Sequence, residues 1–271
     1  MINEKKPGID GEKYLPYEKR TGGESVVYFT TDLSSEGLER IYNKISANIS
    51  GRVAIKLHTG EQHGPNIIPR PWVQNLIEKD LPQAHIIETN TYYDGDRYTT
   101  EKHRETLKVN GWTFAPVDIT DEHGTAKLPV TNGKWFTEMS VGKGILDYDS
   151  LVVLTHFKGH TQGGFGGSNK NIGIGCADGR IGKGMIHTQP GSKNQWGVAK
   201  EELMEKISES TKSVIDYFGD KVVYINVMRN MSVSCDCEGV AAQPVVTPDV
   251  GILASTDILA VDQACVDLVF A

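Results

Sequence analysis

The chain has 271 residues, enough for one large α/β domain or two small ones with a sizeable buried core. It carries 28 Lys and Arg against 35 Asp and Glu, and this acidic balance argues against non-specific nucleic-acid binding, which needs a basic face to neutralise phosphates. No apolar run approaches the roughly 20 residues of a membrane span, and the N-terminus lacks the apolar segment of a signal peptide, so we expect a cytoplasmic protein that binds neither nucleic acid nor membrane.

The first half of the chain alternates predicted strands and helices. Residues 1–24 mix charge, Pro and Gly, and we expect them to form an arm with little structure of its own. The next elements should be a strand at 25–30, a helix around 38–45, a strand at 52–57, a helix from Pro71, a strand at 84–89 and a helix at 100–109. Residues 112–148 are rich in turn formers and predict a small β-rich flap.

The second half continues the alternation. "SLVVLTHF" at 150–157 is the most apolar strand and should lie at the centre of the sheet. A helix at about 198–218, strands at 221–228 and 250–255, and a helix from Ile258 to Val269 complete the pattern. Strands that alternate with helices indicate an α/β fold, with a mostly parallel sheet flanked by helices, so we predict a single domain over 25–271.

The last predicted helix stops at Ala271 without a capping Gly or a basic last turn. We therefore expect either that this helix ends against the core or that the natural protein continues beyond it.

Polar side chains of ligand type follow four predicted strands. They are His58 with Glu61 and His63, then Asn90, Tyr92, Asp94 and Arg97, then the stretch that begins at His156, and then "RNMSVSCDC" at 229–237. Ligands of open α/β sheets bind beyond the carboxyl ends of the strands. We therefore predict that His58, Asn90, His156 and Cys235 lie in one cleft at that edge of the sheet.

The third of these clusters, "HFKGHTQGGFGGSNKNIGIGC" at 156–176, contains no acidic residue. His156 and His160 stand four apart after a central strand, which favours catalysis or metal binding. The alternative is that one of these histidines only donates a hydrogen bond to a backbone carbonyl.

The glycines of the same stretch predict an anion site. Their backbone N–H groups allow close approach of a carboxylate or phosphate, and a following lysine neutralises it. Lys170 is a candidate catalytic residue of this stretch. The substrate-binding candidates are Gly163, Gly164, Gly166, Gly167, Ser168, Asn169 and Lys158, together with Asn90 and Arg97. The pattern is neither a Walker A loop nor a Rossmann fingerprint, and the alternative is a glycine-rich turn that permits tight packing.

The four cysteines are too few and too unevenly spaced for a disulfide framework. In an extended segment Cys235 and Cys237 face the same side, so both thiols could hold one soft metal; the alternative is two unrelated, partly exposed cysteines. Cys265 lies on the apolar stripe of the last helix and is expected in the core. The sequence leaves Cys176 undecided.

Four long segments resemble the domain-of-unknown-function 362 family, whose members are often labelled Fe–S centre proteins. They are "VAIKLHTGE", "ETNTYYDGDRYTTEKH", "LVVLTHFKGHTQGGFGGSNKNIGIGC" and "CDCEGVAAQPVVTPDVGILASTDILAVDQACVDLV", and the resemblance runs from about residue 25 onward. Many members carry a ferredoxin-like insert with C-x₂-C-x₂-C runs, which this chain lacks. If the implied cluster exists here, Cys235, Cys237 and Cys176 must hold it, with help from a histidine. Members also tend to continue past "DQACVDLV".

A looser likeness joins the histidine–glycine–lysine stretch to the nickel-pincer lactate racemases, which use histidines and basic residues around a 2-hydroxy acid. Together these features favour a metal- or Fe–S-dependent enzyme that acts on a small anion by redox or proton-transfer chemistry. Its catalytic residues would be His58, His156, His160 and Lys170, with metal ligands among Cys235, Cys237, Cys176, His156 and His160. The alternatives are a non-catalytic electron carrier or assembly factor and a metal-free anion-binding module; a homodimer is the expected assembly.

Overall fold

Eleven strands and seven α-helices make up the computed structural model, which describes residues 23–189, 192, 194 and 196–270. The strands are β1 Tyr28–Thr30, β2 Val53–Lys56, β3 His85–Glu88, β4 Val117–Ile119, β5 Thr125–Pro129, β6 Glu138–Gly142, β7 Ser150–His156, β8 Lys158–His160, β9 Gly164–Gly166, β10 Val222–Met228 and β11 Gly251–Ser255. The helices are α1 Ser35–Tyr42, α2 Arg70–Asp80, α3 Thr100–Val109, α4 Ser168–Gly175, α5 Gly182–His187, α6 Lys200–Phe218 and α7 Ile258–Phe270. Most of the predicted arm at 1–24, and Ala271, lie outside the described residues.

A seven-stranded sheet lies at the centre of the fold, in the spatial order β1-β11-β10-β7-β2-β3-β4. The five strands from β10 to β4 are parallel, while β11 pairs antiparallel with β10 and β1 pairs antiparallel with β11. This arrangement confirms the predicted α/β fold with a mostly parallel sheet. The most apolar predicted strand, β7, is the fourth of the seven, and all of its residues are buried.

Both faces of the sheet are covered, which explains why β7 is apolar throughout instead of alternating. Leu151 and Val153 point to one face and pack with α4, α5, α6 and α7. Val152 and Leu154 point to the other face and pack with α1, α2 and α3. Successive side chains of a strand point to opposite faces, so one strand contributes to two cores.

Residues 112–148 are built from three strands and a 3₁₀ turn. β4 extends the main sheet at its edge, and β5 and β6 form a separate antiparallel hairpin. Leu128, Met139 and Val141 of that hairpin are buried in the same core as α6. The hairpin is therefore part of the packed domain.

Local capping explains where several helices begin and end. The Ser34 side chain accepts a hydrogen bond from the Gly37 N–H at the start of α1, and Thr99 accepts one from Lys102 at the start of α3. α6 ends at Gly219, whose φ of 60° lies in the region that favours glycine. None of the described helices has both the length and the apolar character that crossing a bilayer requires.

Candidate functional site

A cavity of about 400 Å³ opens where the parallel strands end. Its polar wall includes lysines, an arginine, histidines, two carboxylates and thiols: Lys56, His58, Glu88, Arg97, His156, Lys158, His160, Lys170, Lys183, His187, Cys235, Cys237 and Glu238. The carboxyl ends of β2, β3, β7 and β10 lie at one edge of the sheet because these strands are parallel. The residues that follow them converge at that edge.

The other wall of the cavity is apolar and aromatic. It includes Ile174 of α4 with Leu203 and Ile207 of α6. Tyr92 and Trp196 also line it, with ring centroids 5.6 Å apart in an edge-to-face contact. The cavity therefore offers a charged end and an apolar end to a small molecule.

Three potential metal ligands lie together in the polar wall. The ligand atoms of His160, Cys235 and Cys237 are all within 4.8 Å of one another. Cys235 and Cys237 lie at the start of a 3₁₀ turn, Asp236–Ala241, and His160 ends β8. Soft thiolates and imidazole are the ligands of Zn²⁺ and similar ions, so the group can hold one such ion.

Gly159 allows these ligands to meet. Its N–H donates to the Ser232 carbonyl at 2.8 Å. A Cβ at Gly159 would lie 2.3 Å from the Val233 carbonyl oxygen, a distance that real Cβ atoms do not show. Only glycine therefore lets β8 approach the segment that leads into the cysteine turn.

The surroundings of the two thiols shift their pKa values in opposite directions. The hydrogen bond from Cys237, supported by Lys170, His160 and Lys158, outweighs burial and holds the pKa of Cys235 well below its usual value. The same hydrogen bond, together with burial, raises the pKa of Cys237. Cys235 is thus the thiolate of the pair, the form that ligates a metal or reacts.

The cysteines do not fit a cluster held by four thiolates. Fe–S clusters are commonly held by four Cys ligands, and this chain has only four cysteines in all. Cys176 and Cys265 are 1% and 0% exposed in the hydrophobic core and do not belong to the ligand group. The residues present fit a single transition metal ion with two thiol ligands, one imidazole and a position left for a further ligand.

His156 holds the cysteine turn in place. Its Nδ1 lies 2.7 Å from an oxygen of Asp236, and its Nε2 donates to the Arg229 carbonyl at 2.7 Å. Lys158 contacts the same oxygen of Asp236 at 3.0 Å. The charges of His156 and Lys158 outweigh burial and keep the pKa of Asp236 well below its usual value. Both ring nitrogens of His156 therefore have protein partners.

The start of α4 already binds a carboxylate of the chain itself. The N–H groups of Ser168 and Asn169 donate to the two oxygens of Asp262 at 2.8 and 2.9 Å. A Cβ at Gly167 would lie 2.6 Å from Asp262, so this glycine makes room for that carboxylate. Here the structure corrects the predicted anion loop, because these N–H groups are occupied and Ser168 is fully buried.

The rest of the glycine stretch forms a hairpin and a helix instead of the predicted loop. Gly163 and Gly164 lie at the turn of the β8–β9 hairpin, outside the cavity lining, while Gly166 and Gly167 do line it. Asn169 is outside the lining and donates its side-chain N–H to Ser208. Of the predicted anion-binding residues in this stretch, those that line the cavity are therefore Gly166, Gly167, Lys158 and Lys170.

Most cations of the cavity are paired with carboxylates. Lys56 contacts Glu88 at 2.8 Å and Arg97 contacts Glu61 at 2.8 Å, while Lys158 contacts Asp236. Together the charges of Lys56 and Arg97 outweigh burial and lower the pKa of Glu88. The side chain of Lys170 has no hydrogen bond or ion pair among the described residues, so its charge is available to a ligand.

The remaining predicted residues lie at or just behind the wall. Asn90 does not line the cavity; its N–H donates to Asp121 and its side-chain N–H to Thr100. His58 lines the cavity, with a buried Nε2 that has no partner among the described residues. Burial and the Arg97 charge lower the pKa of His58 to about 4, so its ring is neutral at pH 7.

Sequence reasoning missed Lys183, Lys56, Glu88 and His187 as residues of the cavity. Lys56 and Glu88 each end a short apolar strand. A single charged residue at the end of such a strand was the one feature of the sequence that could have indicated them. Lys183 and His187 lie on α5, a six-residue helix in a glycine-rich segment too short for a periodic pattern.

Comparisons with known proteins give the family. The family model described as "Domain of unknown function (DUF362)" matches residues 53–267, and the chain belongs to this family. No curated protein matches the sequence.

Several solved structures resemble the fold, among them two that cover most of this chain. The lactate racemase apoprotein from Thermoanaerobacterium thermosaccharolyticum is 15% identical with a TM-score of 0.46, over 92% of this chain and 57% of that one. A protein from Thermotoga maritima is 14% identical with a TM-score of 0.48, over 85% of this chain and 57% of that one. The chain thus spans little more than half the length of either structure.

Alkylation should distinguish the four cysteines. In metal-stripped, folded protein at pH 7, iodoacetamide should modify Cys235 or Cys237 first, because Cys235 is the stabilised thiolate. Cys176 and Cys265 should react only after unfolding, since burial raises the pKa of both thiols. Peptide mass spectrometry over a time course gives the order, and earlier modification of Cys265 would contradict it.

The substitution Asp236→Asn should destabilise the fold by about 3–5 kcal/mol, the usual cost of leaving a buried charge without its partner. It removes the carboxylate that Lys158 and His156 share. Urea unfolding at pH 7 measures the change. Asp94→Asn is the matched control, because the Asp94 side chain is 82% exposed and should change stability little. Equal stability of both variants would show that Asp236 does not hold the turn.

Proposed function

We propose that this member of the DUF362 family is a metal-dependent enzyme that acts on a small anionic substrate, a carboxylate or a phosphate. The observation that carries the proposal is the convergence of His160, Cys235 and Cys237 in the wall of a cavity that also contains an unpaired lysine. A metal ion at these three ligands would supply a Lewis acid or an electron-accepting centre.

Lys170 supports the anionic character of the substrate. Its side chain has neither a hydrogen bond nor an ion pair in the described part of the chain, and its charge also favours ionisation of the neighbouring Cys235 thiol. An anion held by Lys170 would therefore lie near the metal ligands. Because the cavity also has an apolar wall, the anion can carry a small hydrophobic group.

His58 and His160 remain the candidates for direct contact with the substrate or the metal. The ring of His58 is neutral and keeps one nitrogen without a protein partner. His160 accepts the Gly163 N–H at Nδ1 at 2.9 Å and forms a side-chain hydrogen bond with Cys235, and a metal ion between these two side chains would replace that hydrogen bond. In the proposal His156 is a positioning residue, because its two nitrogens bind Asp236 and Arg229.

A second function, a non-catalytic electron carrier or assembly factor, is favoured by one observation. Three valines in the segment around the cysteine turn, Val233, Val240 and Val246, are 55%, 76% and 73% exposed. Exposed apolar side chains beside a metal site suit docking of a protein partner. The two functions differ in whether the cavity binds a small anion.

Metal analysis tests the metal site. Anaerobically purified protein should contain about one transition metal ion per chain, and Cys235→Ser, Cys237→Ser and His160→Ala should each reduce the content at least several-fold, because each removes one of three protein ligands. Cys176→Ala is the matched control and should retain the metal. Iron with acid-labile sulfide that disappears in Cys176→Ala would instead establish a cluster and contradict the single-ion site.

Calorimetry tests the anion site. Lys170→Met should weaken binding of phosphate or a small hydroxy acid by about 1.5–3 kcal/mol, the scale of a charge-assisted hydrogen bond. The exposed Lys44 is the matched control, and Lys44→Met should not change the affinity. Equal affinity in wild type and Lys170→Met would contradict the assignment of Lys170, and a metal-loaded protein that binds no anion would favour the carrier function.

A further inference from the structure

Lys183 is a buried lysine of the cavity that belongs neither to the metal-ligand group nor to the proposed anion contact of Lys170. It is 6% exposed, lies on the first turn of α5 and lines the cavity. Its Nζ donates to the Thr89 hydroxyl at 2.7 Å and to the Asn90 carbonyl. Within the described ranges no carboxylate forms an ion pair with it, unlike the other buried lysines at the base of the cavity.

The position of Lys183 is fixed from two sides. The Asp178 carboxylate accepts the N–H groups of Ile181 and Gly182 at 2.8 Å each, which holds the start of α5. A Cβ at Gly182 would lie 2.0 Å from the Ser140 carbonyl, so α5 packs directly on the β6 backbone. The amine is therefore presented to the cavity by a rigid support, as a reacting group must be.

The hydrogen bonds of Lys183 define what its nitrogen offers to a ligand. A neutral amine has two N–H groups and one lone pair, and two acceptors, Thr89 and Asn90, already take two hydrogens. The remaining tetrahedral position then carries the lone pair in the neutral form and the third hydrogen in the ammonium form. One position thus accepts and returns a proton without any change in the other contacts.

The surroundings of Lys183 support exchange of that proton near neutral pH. Burial is the main cause that lowers the pKa of Lys183 to about 8, and the charges of Arg97 and Lys56 lower it further while those of Asp121 and Glu88 oppose them. The other titratable groups that face it are His103, Cys176 and His187. At a pH near this pKa both the ammonium, which can donate a proton, and the neutral amine, which can accept one, are populated.

We propose that Lys183 is a catalytic residue of this cavity that transfers a proton to and from a carbon atom of the bound anion, next to a carbonyl group as in a 2-oxo acid. This inference rests on the proposed function. The amine lone pair takes the proton as the C–H bond breaks, and the electron pair of that bond moves to the carbonyl oxygen to give an enolate. The ammonium returns a proton to the carbon in the reverse step, so the cycle consumes no oxidant or reductant.

A covalent imine at Lys183 would change these hydrogen bonds. An imine nitrogen carries at most one hydrogen, so forming it would break at least one of the bonds to Thr89 and Asn90. Proton transfer keeps both bonds.

Competitive acetylation tests the amine without any need for a substrate. Wild-type protein is treated with trace acetic anhydride from pH 6 to pH 11, and each lysine is quantified by peptide mass spectrometry. Labelling of Lys183 should reach half its maximum near pH 8, below the midpoint of an ordinary lysine. A Lys183 midpoint at the ordinary lysine value, or no labelling of Lys183 in the folded protein, would overturn the proposal.

Deuterium exchange tests the catalytic role. Metal-loaded protein in D₂O is incubated with pyruvate and 2-oxobutyrate, and NMR follows exchange at the carbon next to the carbonyl. Lys183→Met should lower the exchange rate at least 100-fold while pyruvate affinity by calorimetry stays within about 3-fold, whereas Lys170→Met should mainly weaken affinity. Unchanged exchange in Lys183→Met would overturn the role of Lys183.

Two controls separate the possible failures. Lys183→Gln keeps an N–H donor for Thr89 and Asn90 but cannot titrate, so it should lose exchange while unfolding like wild type. A Lys183 adduct trapped by cyanoborohydride with pyruvate would establish an imine and overturn proton transfer. Absence of anion binding and exchange in wild type would count against the proposed function, and the acetylation midpoint would then decide whether the amine itself behaves as inferred.

Discussion

The site depends on one buried contact, the Asp236 carboxylate between His156 and Lys158. His156 ends the central strand β7, and Lys158 begins β8, which pairs with β9 outside the main sheet. Asp236 lies between the two cysteines of the turn. By binding this carboxylate, the end of β7 and the start of β8 fix the position of the turn that carries both thiols. This ion-pair contact positions the metal-ligand group. Among the described residues, the group has no other charged contact with the central strand.

The same contact explains why 156–176 contains no acidic residue. The stretch is dense with cations and N–H donors, and its acidic partners come from other parts of the chain: Asp236 for Lys158 and Asp262 for the start of α4. An acid within the stretch would compete with these long-range partners for the same positive groups. The acid-free pattern therefore reflects a folded segment whose positive groups are matched by carboxylates from later parts of the chain, while the side chain of Lys170 has no such partner among the described residues.

The sequence predicted the sheet well because strands buried on both faces read as apolar runs, as β7 and β10 do. It also located the cavity, since parallel strands end at one edge and the residues that follow them must meet there. It did not predict which polar groups are already engaged. The N–H groups of Ser168 and Asn169 bind an aspartate 94 and 93 positions later in the chain, and no local pattern signals such a partner. Lys183 was missed for a related reason. Its lowered pKa comes from burial, and its hydrogen bonds go to Thr89 and Asn90, which are distant in sequence.

The balance of charge in the cavity links the metal group to the anion site. Lys56, Arg97 and Lys158 are matched by Glu88, Glu61 and Asp236, which leaves Lys170 opposite the Cys235 thiolate. The charge of Lys170 helps to compensate that thiolate. In the proposed function, a divalent cation at the thiolate would take over this role and repel the lysine, whose charge would then be best satisfied by an anion in the cavity. Metal binding and anion binding would therefore favour each other through one side chain, and the apolar wall of Leu203 and Ile207 would strengthen the coupling because it excludes the water that would otherwise screen it.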